Sequence, residues 1–463
     1  MLRAVRLTLL ALIALLVLGA AQATAAPRMP IGFFDDPTFR WSPDRAANLQ
    51  RAAATGASII HTTANWPQIA PTRPADAANG DDPAYHLSDL DDLVSHAALN
   101  GMRVMINITG TPKWANGNTT PNHMPKRLSD LTTFSRMLAT RYNGANGKGY
   151  VGLWSVWNEP NLQQFLMPQY SGKKIVSVAN YAKLYKAAYA GIKAGNRGAQ
   201  VAAGETSAMG RDKPSKGSSQ TVAPGTFARL LARQKGIRFD AWAHHPYPTA
   251  PNAKPLEKVR YPNVTLSSLP RFEKDLHKWY HRTVPVWITE YGHETKPGER
   301  KGVTLATQAK YAKQALDFAR KDPNVQMFVW FTFRDSSGNP WQSGLEQPSG
   351  AAKPAYSTFG ALARLTDGIQ TNVRAGRVPT LTLYFPTLSY YNAVGTSIGM
   401  TYTVRDGSKF LATAQPVAPM RANQSLAIPL AFTPKKKHTY TVTVVANDPN
   451  GHSETRTATL KAI

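Results

Sequence analysis

The sequence contains no cysteine in its 463 residues. No disulfide bond can therefore hold the folded chain together, and no thiolate can act as a nucleophile or as a metal ligand. Stability must come from buried apolar side chains. A chain of this length is long enough for one large domain and a smaller one, since single domains usually run to ~100–250 residues.

Acidic residues are scarce: the chain has 28 Asp and Glu against 54 Lys and Arg, which gives a net charge of +26. A field of this sign attracts polyanions. We expect no nucleic-acid partner, because the sequence has no helix-turn-helix signature, zinc-ligand spacing or basic-aromatic RNA-binding motif. An anionic polysaccharide stays open as a partner, and so does an adaptation of surface charge to the habitat.

Long apolar runs are absent except at the N-terminus, where Arg3 and Arg6 precede an apolar segment that ends near Leu18 and is followed by small residues. This order is typical of a secretory signal peptide over residues 1–26. The apolar segment is shorter than the ~20 residues that span a membrane. We therefore expect a secreted, extracellular or cell-wall-associated protein without stable membrane insertion, and an uncleaved anchor is the alternative.

Short apolar runs alternate with amphipathic segments of helical period over residues 27–368, which is the pattern of βα units around a parallel sheet. The predicted strands contain, in order, PIGFF, SIIHTT, RVMINIT, GLWSVWN, QVAAGET, FDAWAHH, VPVWITE and VQMFVWFTF. Eight such units predict a TIM (β/α)8 barrel, in which the functional residues lie at the C-terminal ends of the strands.

The pattern changes near residue 369 to alternating strands with turn signals such as Asp406-Gly407 and Asn450-Gly451. Residues 369–463 are expected to form a small all-β domain that resembles an immunoglobulin-like sandwich. Such a module is more often a spacer or packing partner than a binding domain, so we assign it no ligand.

Two glutamates stand at predicted strand ends. Glu159 follows the fourth strand in the motif WNEP, and Glu290 ends the seventh in the motif TEYG. Two rigidly mounted carboxylates are what glycoside hydrolysis requires: one protonates the leaving oxygen, and the other attacks or stabilises the sugar carbon.

These motifs, in this strand order, resemble those of the clan A (β/α)8 glycoside hydrolases over roughly residues 28–366. The chain looks closest to family 39 and related extracellular polysaccharide hydrolases, with family 5 as the nearest rival. The resemblance implies Glu159 as general acid/base and Glu290 as nucleophile in a retaining double displacement, with no cofactor and no metal. It further implies that Glu159 holds a proton near neutral pH while Glu290 is ionised.

Two other carboxylates compete with this pair. Glu294 lies four residues beyond Glu290 and is expected in the following loop. Glu205, after the fifth strand, is either a substrate contact or the partner of a structural ion pair.

Further residues at the strand ends are expected to bind substrate. Asn158 should hydrogen-bond the sugar 2-hydroxyl, with a backbone cap as the alternative. The resemblance places His245 and Tyr247, after the sixth strand, near the nucleophile, where they would orient Glu290 or bind substrate. A metal site at His244 and His245 is disfavoured, because adjacent strand residues point to opposite faces.

Aromatic residues near strand ends are candidate sugar platforms, because indole rings stack well on pyranose faces. Trp330 in the last strand, Trp114 after the third and Trp66 after the second are expected to line the cleft, and the resemblance favours Trp330. Core packing is the alternative for each. Asp36, after the first strand, is expected to contact substrate hydroxyls, with a turn role before Pro37 as the alternative.

The sequence thus predicts an exported retaining β-glycosidase that acts as a monomer on a polysaccharide or oligosaccharide, within the polymer rather than at its ends. The alternative is a non-catalytic polysaccharide-binding or cell-wall scaffold protein built on a hydrolase barrel. The presence of both glutamates argues against that alternative.

Overall fold

A computed structural model of the protein describes residues 29–215, 219–338, 341–366, 370–383, 385, 388, 396–420 and 426–463. The predicted signal peptide, residues 1–26, lies outside the described residues. The predicted boundary between the two domains, at residues 368 and 369, also lies outside them.

Eight parallel strands close into a barrel, in the order in which they follow one another along the chain. Their sequences are apolar runs because each strand is buried on both faces, by the barrel interior and by the surrounding helices. Strands β1 to β8 are Ile31–Phe34, Ile59–Asn65, Arg103–Thr109, Leu153–Val156, Gln200–Ser207, Ala241–His245, Val286–Tyr291 and Val325–Phe331. The predicted (β/α)8 barrel and its eight strands are confirmed.

One longer helix follows each strand. Helices α1 to α8 are Arg45–Ala54, Ser88–Leu99, Leu128–Arg141, Ser177–Gly195, Pro224–Leu231, Leu269–Tyr280, Leu305–Lys321 and Pro354–Thr366. The connecting segments contain a π-helical turn at Pro37–Trp41, one-turn helices at Trp66–Ile69 and Lys113–Asn116, and a 3-10 turn at Leu266–Ser268. A short hairpin pairs Tyr170–Ser171 with Lys174–Ile175. Over the described parts of the chain, no helix is both long and apolar enough to cross a membrane.

The barrel interior is filled by a small apolar core. Its buried members are Ile59, Met105, Leu153, Ala202, Ala241, Ala243, Trp287, Met327 and Val329. Two residues further along five of these strands the side chains are polar: His61, Asn107, Ser155, His245 and Thr289. Because alternate residues of a strand share a face, these polar side chains also point into the barrel, one layer nearer its C-terminal end.

The strands β1 and β2 approach each other closely at Gly32. A Cβ atom at this position would lie 1.7 Å from the carbonyl oxygen of Ile59, which is paired with Gly32 in the sheet. Only glycine fits at this position without a shift of the two strands.

The C-terminal region is all-β, as predicted. Strands β9 to β16 are Gln370–Val373, Thr380–Leu383, Thr396–Asp406, Lys409–Ala414, Val417–Met420, Leu426–Pro429, Thr439–Asn447 and Ser453–Ala462. One sheet has the order β9–β16–β15–β11–β12, with β13 also paired to β11, and a second sheet pairs β10 with β14. Burial alternates along β11 and β15, so that one face of the sheet covers a separate apolar core. The assignment to the immunoglobulin-like class stays a prediction.

Candidate active site

The two predicted catalytic residues, Glu159 and Glu290, meet at one histidine ring. The Nδ1 atom of His245 lies 3.1 Å from Oε1 of Glu159 and 3.7 Å from Oε2 of Glu290. The three residues come from the C-terminal ends of β4, β7 and β6, which is where the barrel fold places functional side chains. Three residues that are far apart in the sequence therefore form one cluster.

An unusual stretch of backbone beyond β4 delivers Glu159. Trp157 and Glu159 have positive φ angles of 69° and 36°, a region that residues with a side chain rarely adopt. The N–H of Trp157 donates to the carbonyl of Ile108 at 2.7 Å, and the N–H of Glu159 donates to the carbonyl of Glu205 at 2.8 Å. Such conformations cluster at functional sites, where neighbouring contacts hold them in place.

The second carboxylate, Glu290, lies inside β7 and is only 8% exposed. The hydroxyl group of Tyr247 donates to its Oε2 atom at 3.2 Å. Two residues further on, a Cβ atom at Gly292 would lie 2.3 Å from the carbonyl oxygen of Phe331. Glycine at this position therefore lets the ends of β7 and β8 approach each other beside Glu290.

His245 is fully buried and has carboxylates at both ring nitrogens. Its Nε2 atom lies 2.7 Å from Oε2 of Glu205, while Nδ1 faces Glu159 and Glu290. Ionised carboxylates only accept hydrogen bonds, so each ring nitrogen must carry a hydrogen to bond them. Burial lowers the pKa of His245, but the charges of the three glutamates outweigh it and raise this pKa well above its ordinary value. The hydrogen-bond geometry and the neighbouring charges therefore both favour a doubly protonated, cationic ring.

The pKa of Glu290 is raised above its ordinary value, chiefly by burial and further by the negative charges of Glu159 and Glu205. His245 and Tyr247 act in the opposite direction. The ionised state of Glu290 near neutral pH stays a prediction, and the raised pKa opposes it. Glu290 therefore keeps its proton to higher pH than an isolated glutamate would.

His244 points to the opposite face from His245, as the alternation along a strand predicts. Its Nε2–H donates to the carbonyl of Val264 at 2.8 Å, and its Nδ1 accepts from the hydroxyl of Thr206 at 2.9 Å. Burial lowers the pKa of His244 to about 3, so the ring is neutral. Among the described residues, no group of three or more His, Asp and Glu side chains is arranged to hold a metal ion.

A pocket of about 470 Å³ opens above the ends of β1, β2 and β8, and Phe34, Trp41 and Phe331 contribute to its wall. Polar side chains at the pocket include Asn65, Gln68 and Ser336. A series of rings connects it with the catalytic cluster: Phe34 lies 5.3 Å from Phe331, Phe331 lies 6.1 Å from Trp341, and Trp341 lies 5.2 Å from Tyr247. Since Tyr247 bonds Glu290, the pocket and the cluster share one aromatic wall.

Asp36 lines this pocket, but protein groups already occupy its carboxylate. The hydroxyl of Thr62 and the N–H of Thr63 donate to it, and Arg40 pairs with it at 3.4 Å. The contact with substrate hydroxyls stays a prediction. The alternative turn role holds, because these bonds tie the turn after β1 to β2.

The aromatic residue of β8 that faces the site is Phe331 rather than the predicted Trp330. Trp330 is fully buried, and its ring N–H donates to the carbonyl of Ser343 at 2.8 Å. Its side chain belongs to the core between strands and helices, whereas Phe331, one residue further on, points to the opposite face. Trp330 offers no ring face to a sugar, so the prediction is corrected.

The other two predicted sugar platforms also lie outside the cleft. Trp66 is 1% exposed and stacks on Phe134, with ring centroids 5.2 Å apart. Trp114 packs edge to face against Trp66 and carries the guanidinium of Arg73 over its ring at 4.2 Å. Core packing, the alternative stated for each, is therefore what the structure shows.

The remaining candidates lie at the edge of the cluster. Asn158 is half-buried in the segment beside Glu159, and its contact with a sugar hydroxyl stays a prediction. Glu294 lies in the loop after β7, as expected, and accepts the N–H of Gln342 at 3.3 Å. Glu294 therefore braces two loops against each other.

The sequence analysis missed three residues of the site region: His61, Trp41 and Trp341. The Nδ1–H of His61 donates to the carbonyl of Thr289 at 3.1 Å, across the barrel from β2 to β7. The alternation along the strand could have indicated His61, because it stands two residues after an apolar residue that faces the barrel interior, as His245 does. Trp41 and Trp341 are 53% and 39% exposed and lie in connecting segments, whose course periodicity does not define.

The family model described as cellulase (glycosyl hydrolase family 5) matches residues 24–335. The sequence has no significant match among curated proteins.

Solved structures with the same fold include a family 39 glycoside hydrolase from the gut symbiont Bacteroides cellulosilyticus WH2, at 18% identity and a TM-score of 0.54 over 87% of this chain and 81% of that one. A glucosidase from Croceicoccus marinus is 10% identical, with a TM-score of 0.56 over 88% and 94% of the two chains. GH5_18 from Streptomyces cattleya, in complex with GlcNAc, is 16% identical, with a TM-score of 0.52 over 76% and 85%. Similarity at this level shows a shared fold. Families 39 and 5, the two families weighed from the sequence, are thus both represented.

Proposed function

The chain belongs to the cellulase family, glycosyl hydrolase family 5, and we propose that it is a secreted, retaining and endo-acting β-glycosidase with Glu159 as general acid/base and Glu290 as nucleophile. The observation that carries this proposal is the meeting of both carboxylates at one nitrogen of His245, at 3.1 and 3.7 Å. Contacts this short to a single atom favour the narrow carboxylate spacing of retaining enzymes, ~5–5.5 Å, over the ~6.5–9.5 Å that leaves room for an attacking water.

The reaction proceeds in two steps. Glu290 attacks the anomeric carbon while Glu159 gives its proton to the glycosidic oxygen, so that the leaving sugar departs as an alcohol. Glu159 then takes a proton from water, the resulting hydroxide attacks the same carbon, and the bond to Glu290 breaks. The imidazolium of His245 supports both steps, because it stabilises whichever of the two carboxylates carries the negative charge.

The substrate is a polymer in this proposal, because the binding surface extends well beyond the two carboxylates. The aromatic wall from Tyr247 to Phe34 continues into the pocket at Trp41. A surface of this length fits several consecutive sugars, whose faces stack on aromatic rings. Cleavage within the polysaccharide is proposed because this aromatic surface continues past the cluster into the pocket.

An anionic polysaccharide is favoured by the net charge of +26. If the positive charge attracts acidic polymers, kcat/KM on these polymers should fall as the salt concentration is raised, because added ions screen the attraction. Neutral polymers provide the reference, because their hydrolysis should depend little on salt.

Secretion is proposed from the N-terminal segment alone, which has the order of charged, apolar and small residues typical of a signal peptide. Expression of the full chain in a secreting host should yield a protein that begins near residue 27, and mass spectrometry of the protein in the medium measures this. A product that stays in the membrane with its N-terminus intact would favour the uncleaved anchor. The protein is expected to elute as a monomer.

The proposed activity is tested on a panel of neutral and acidic polysaccharides, with new reducing ends and product sizes as the readouts. The parent should release short oligomers, and Glu159→Gln and Glu290→Gln should each lose activity by ~10²-fold or more. Glu273→Gln is the matched control, because Glu273 is a buried glutamate of α6 that bonds Asn324, just before β8. Polymer binding without cleavage by the parent, or full activity in both site variants, would overturn the proposal.

A further inference from the structure

We propose that Glu205 is a positioning residue of the active site: through His245 and Thr289 it holds Glu159 and Glu290 in place and keeps both nitrogens of His245 protonated. This inference rests on the proposed roles of Glu159 and Glu290. It adds a third carboxylate, from β5, to the pair that the proposed chemistry uses.

Glu205 acts through other residues, because it is fully buried and has no surface to offer a substrate. Its Oε2 atom accepts from Nε2–H of His245 at 2.7 Å and from the hydroxyl of Thr289 at 2.7 Å. Thr289 is the residue before Glu290, and the backbone carbonyl of Glu205 accepts the N–H of Glu159. One residue is thus bonded directly or through one neighbour to both reacting carboxylates.

A bulge in β5 aims Glu205 at the cluster. In the regular alternation of this strand, Ala202 faces the barrel interior and Ala203 faces the helices, so residue 205 should also face the helices. The pairing of β5 with β6 shifts between Gly204 and Thr206, and Glu205 has a φ of 46°. Bulges re-aim side chains in this way, and they are common next to active sites.

The left-handed conformation at Glu205 is costly for a residue with a side chain, and it is maintained by the bonds that its carboxylate makes. Its neighbour Gly204 has a φ of 106°, and a Cβ atom there would lie 2.6 Å from the carbonyl oxygen of Ala243. The local sequence thus includes a glycine where the bulge needs one.

The charge of Glu205 explains how a buried ring can stay cationic. Burial alone raises the pKa of Glu205, but the hydrogen bond and the charge of His245 outweigh it and bring this pKa below its ordinary value. The 2.7 Å contact and these pKa directions favour an ionised pair, in which each charge offsets the cost of burying the other. Without Glu205, the cost of burying the charged ring would be offset only by the carboxylates of Glu159 and Glu290.

The charged and titratable groups around His245 come from several strands. Glu159 faces it from beyond β4, Glu205 from β5 and Glu290 from β7. His61, from β2, is a neutral neighbour, since burial lowers its pKa and its Nδ1–H is given to a carbonyl. Tyr247, from the segment after β6, keeps its hydroxyl hydrogen, because burial and the charge of Glu290 raise its pKa well above the ordinary value.

The test is Glu205→Gln, which keeps the shape and can still accept from Thr289, but removes the charge. Nitrogen-15 NMR of labelled histidine, with His245 assigned by its loss in His245→Gln, reports the hydrogens on both ring nitrogens. In the parent, both nitrogens should stay protonated from pH 5 to pH 9. In Glu205→Gln, His245 should titrate within this range, kcat should fall ~10- to 100-fold, and the pH profile should gain an inflection at the same pH.

Glu205→Asp separates the effect of the negative charge from that of the carboxylate position, because it keeps the carboxylate but shortens the side chain by one carbon. It should preserve the double protonation of His245 and the shape of the parent pH profile, while kcat stays below that of the parent. A purely structural role for Glu205 predicts an equal loss of kcat in both variants with the pH profile unchanged, and that outcome would overturn the inference. So would a parent spectrum in which one nitrogen of His245 lacks hydrogen at neutral pH.

The parent spectrum is recorded on the unsubstituted protein, with His245→Gln used only for assignment, so a nitrogen without hydrogen would overturn the inference even if Glu205→Gln does not fold. Failure of the proposed function is a separate outcome. It would show as full activity in Glu159→Gln and Glu290→Gln, whatever the protonation state of His245.

Discussion

The hydroxyl group of Tyr247 donates a hydrogen bond to Oε2 of Glu290, with the two oxygen atoms 3.2 Å apart. A bond to the charged form of a carboxylate favours that form, so Tyr247 lowers the pKa of Glu290 against the larger effect of burial. The relationship matters for the proposed chemistry, because Glu290 can attack a sugar carbon only when it is ionised.

Replacement of Tyr247 by Phe should therefore slow the reaction without unfolding the protein. The pKa of Glu290 rises when the hydrogen bond is lost, so the acidic limb of kcat/KM should move to higher pH, and kcat should fall by about tenfold. Steady-state kinetics between pH 4 and pH 9 measure both effects. Tyr280→Phe is the matched control, since that hydroxyl bonds the carbonyl of Ala228 in the helical layer. An unshifted acidic limb in Tyr247→Phe would contradict the account.

A second prediction concerns the negative charge of Glu159. This charge raises the pKa of Glu290, so Glu159→Gln should lower that pKa by roughly one unit. An aryl glycoside with a good leaving group isolates the effect, because its departure needs no proton from Glu159. The first step on this substrate should remain active in the variant to a lower pH than in the parent. An acidic limb that stays in place would show that the two carboxylates do not interact, and one that moves to higher pH would contradict the sign of the predicted interaction.

The sequence alone located the barrel and the two carboxylates that meet at His245, because strand period and strand order place Glu159 and Glu290 at one end of a parallel barrel. It predicted Trp330 as the aromatic residue of β8 at the site, whereas Phe331, one residue further on, lines the pocket. Strands buried on both faces are apolar at every position, so the pattern does not tell Trp330 from Phe331. The direction of Glu205 depends on a bulge, which shifts the alternation by one residue and leaves no periodic signal.

The third prediction tests Trp41 as a sugar platform away from the reacting pair. Its ring N–H donates to Asp89 at 3.2 Å, which fixes the exposed ring at the rim of the pocket. Trp41→Ala should raise KM for polysaccharides by about tenfold, since stacking on an aromatic face is worth ~1 kcal/mol or more. Hydrolysis of an aryl monosaccharide, which is too short to reach Trp41, should not change. Phe410→Ala, at a similarly exposed ring in β12, should alter neither substrate.

The fourth prediction concerns stability and pH at Glu273 in α6. Burial and the neighbouring charge of Asp322 raise the pKa of this glutamate, so the folded chain binds its proton more tightly than the unfolded chain does. Glu273 therefore contributes to the free energy of unfolding at low pH. This contribution is lost as the pH rises from the ordinary glutamate pKa through the raised value.

Glu273→Gln removes the cost of ionising this buried carboxylate at high pH. It keeps an acceptor for Asn324, which donates to Glu273 at 2.9 Å. The midpoint of thermal unfolding should rise at pH 8 by ~2 °C and should change little at pH 4. Calorimetric scans of both proteins at the two pH values measure the difference. A midpoint that falls at pH 8 would mean that the ionised glutamate stabilises the fold.

The central claim is that Glu290 attacks the sugar while Glu159 first gives and then takes a proton. Proton NMR of the reaction, recorded before the new reducing end equilibrates, shows the configuration of the anomeric carbon at the moment of cleavage. Two displacements at one carbon predict that the β configuration appears first and that the α form follows slowly. Initial appearance of the α form would mean a single attack by water, and it would contradict the role assigned to Glu290.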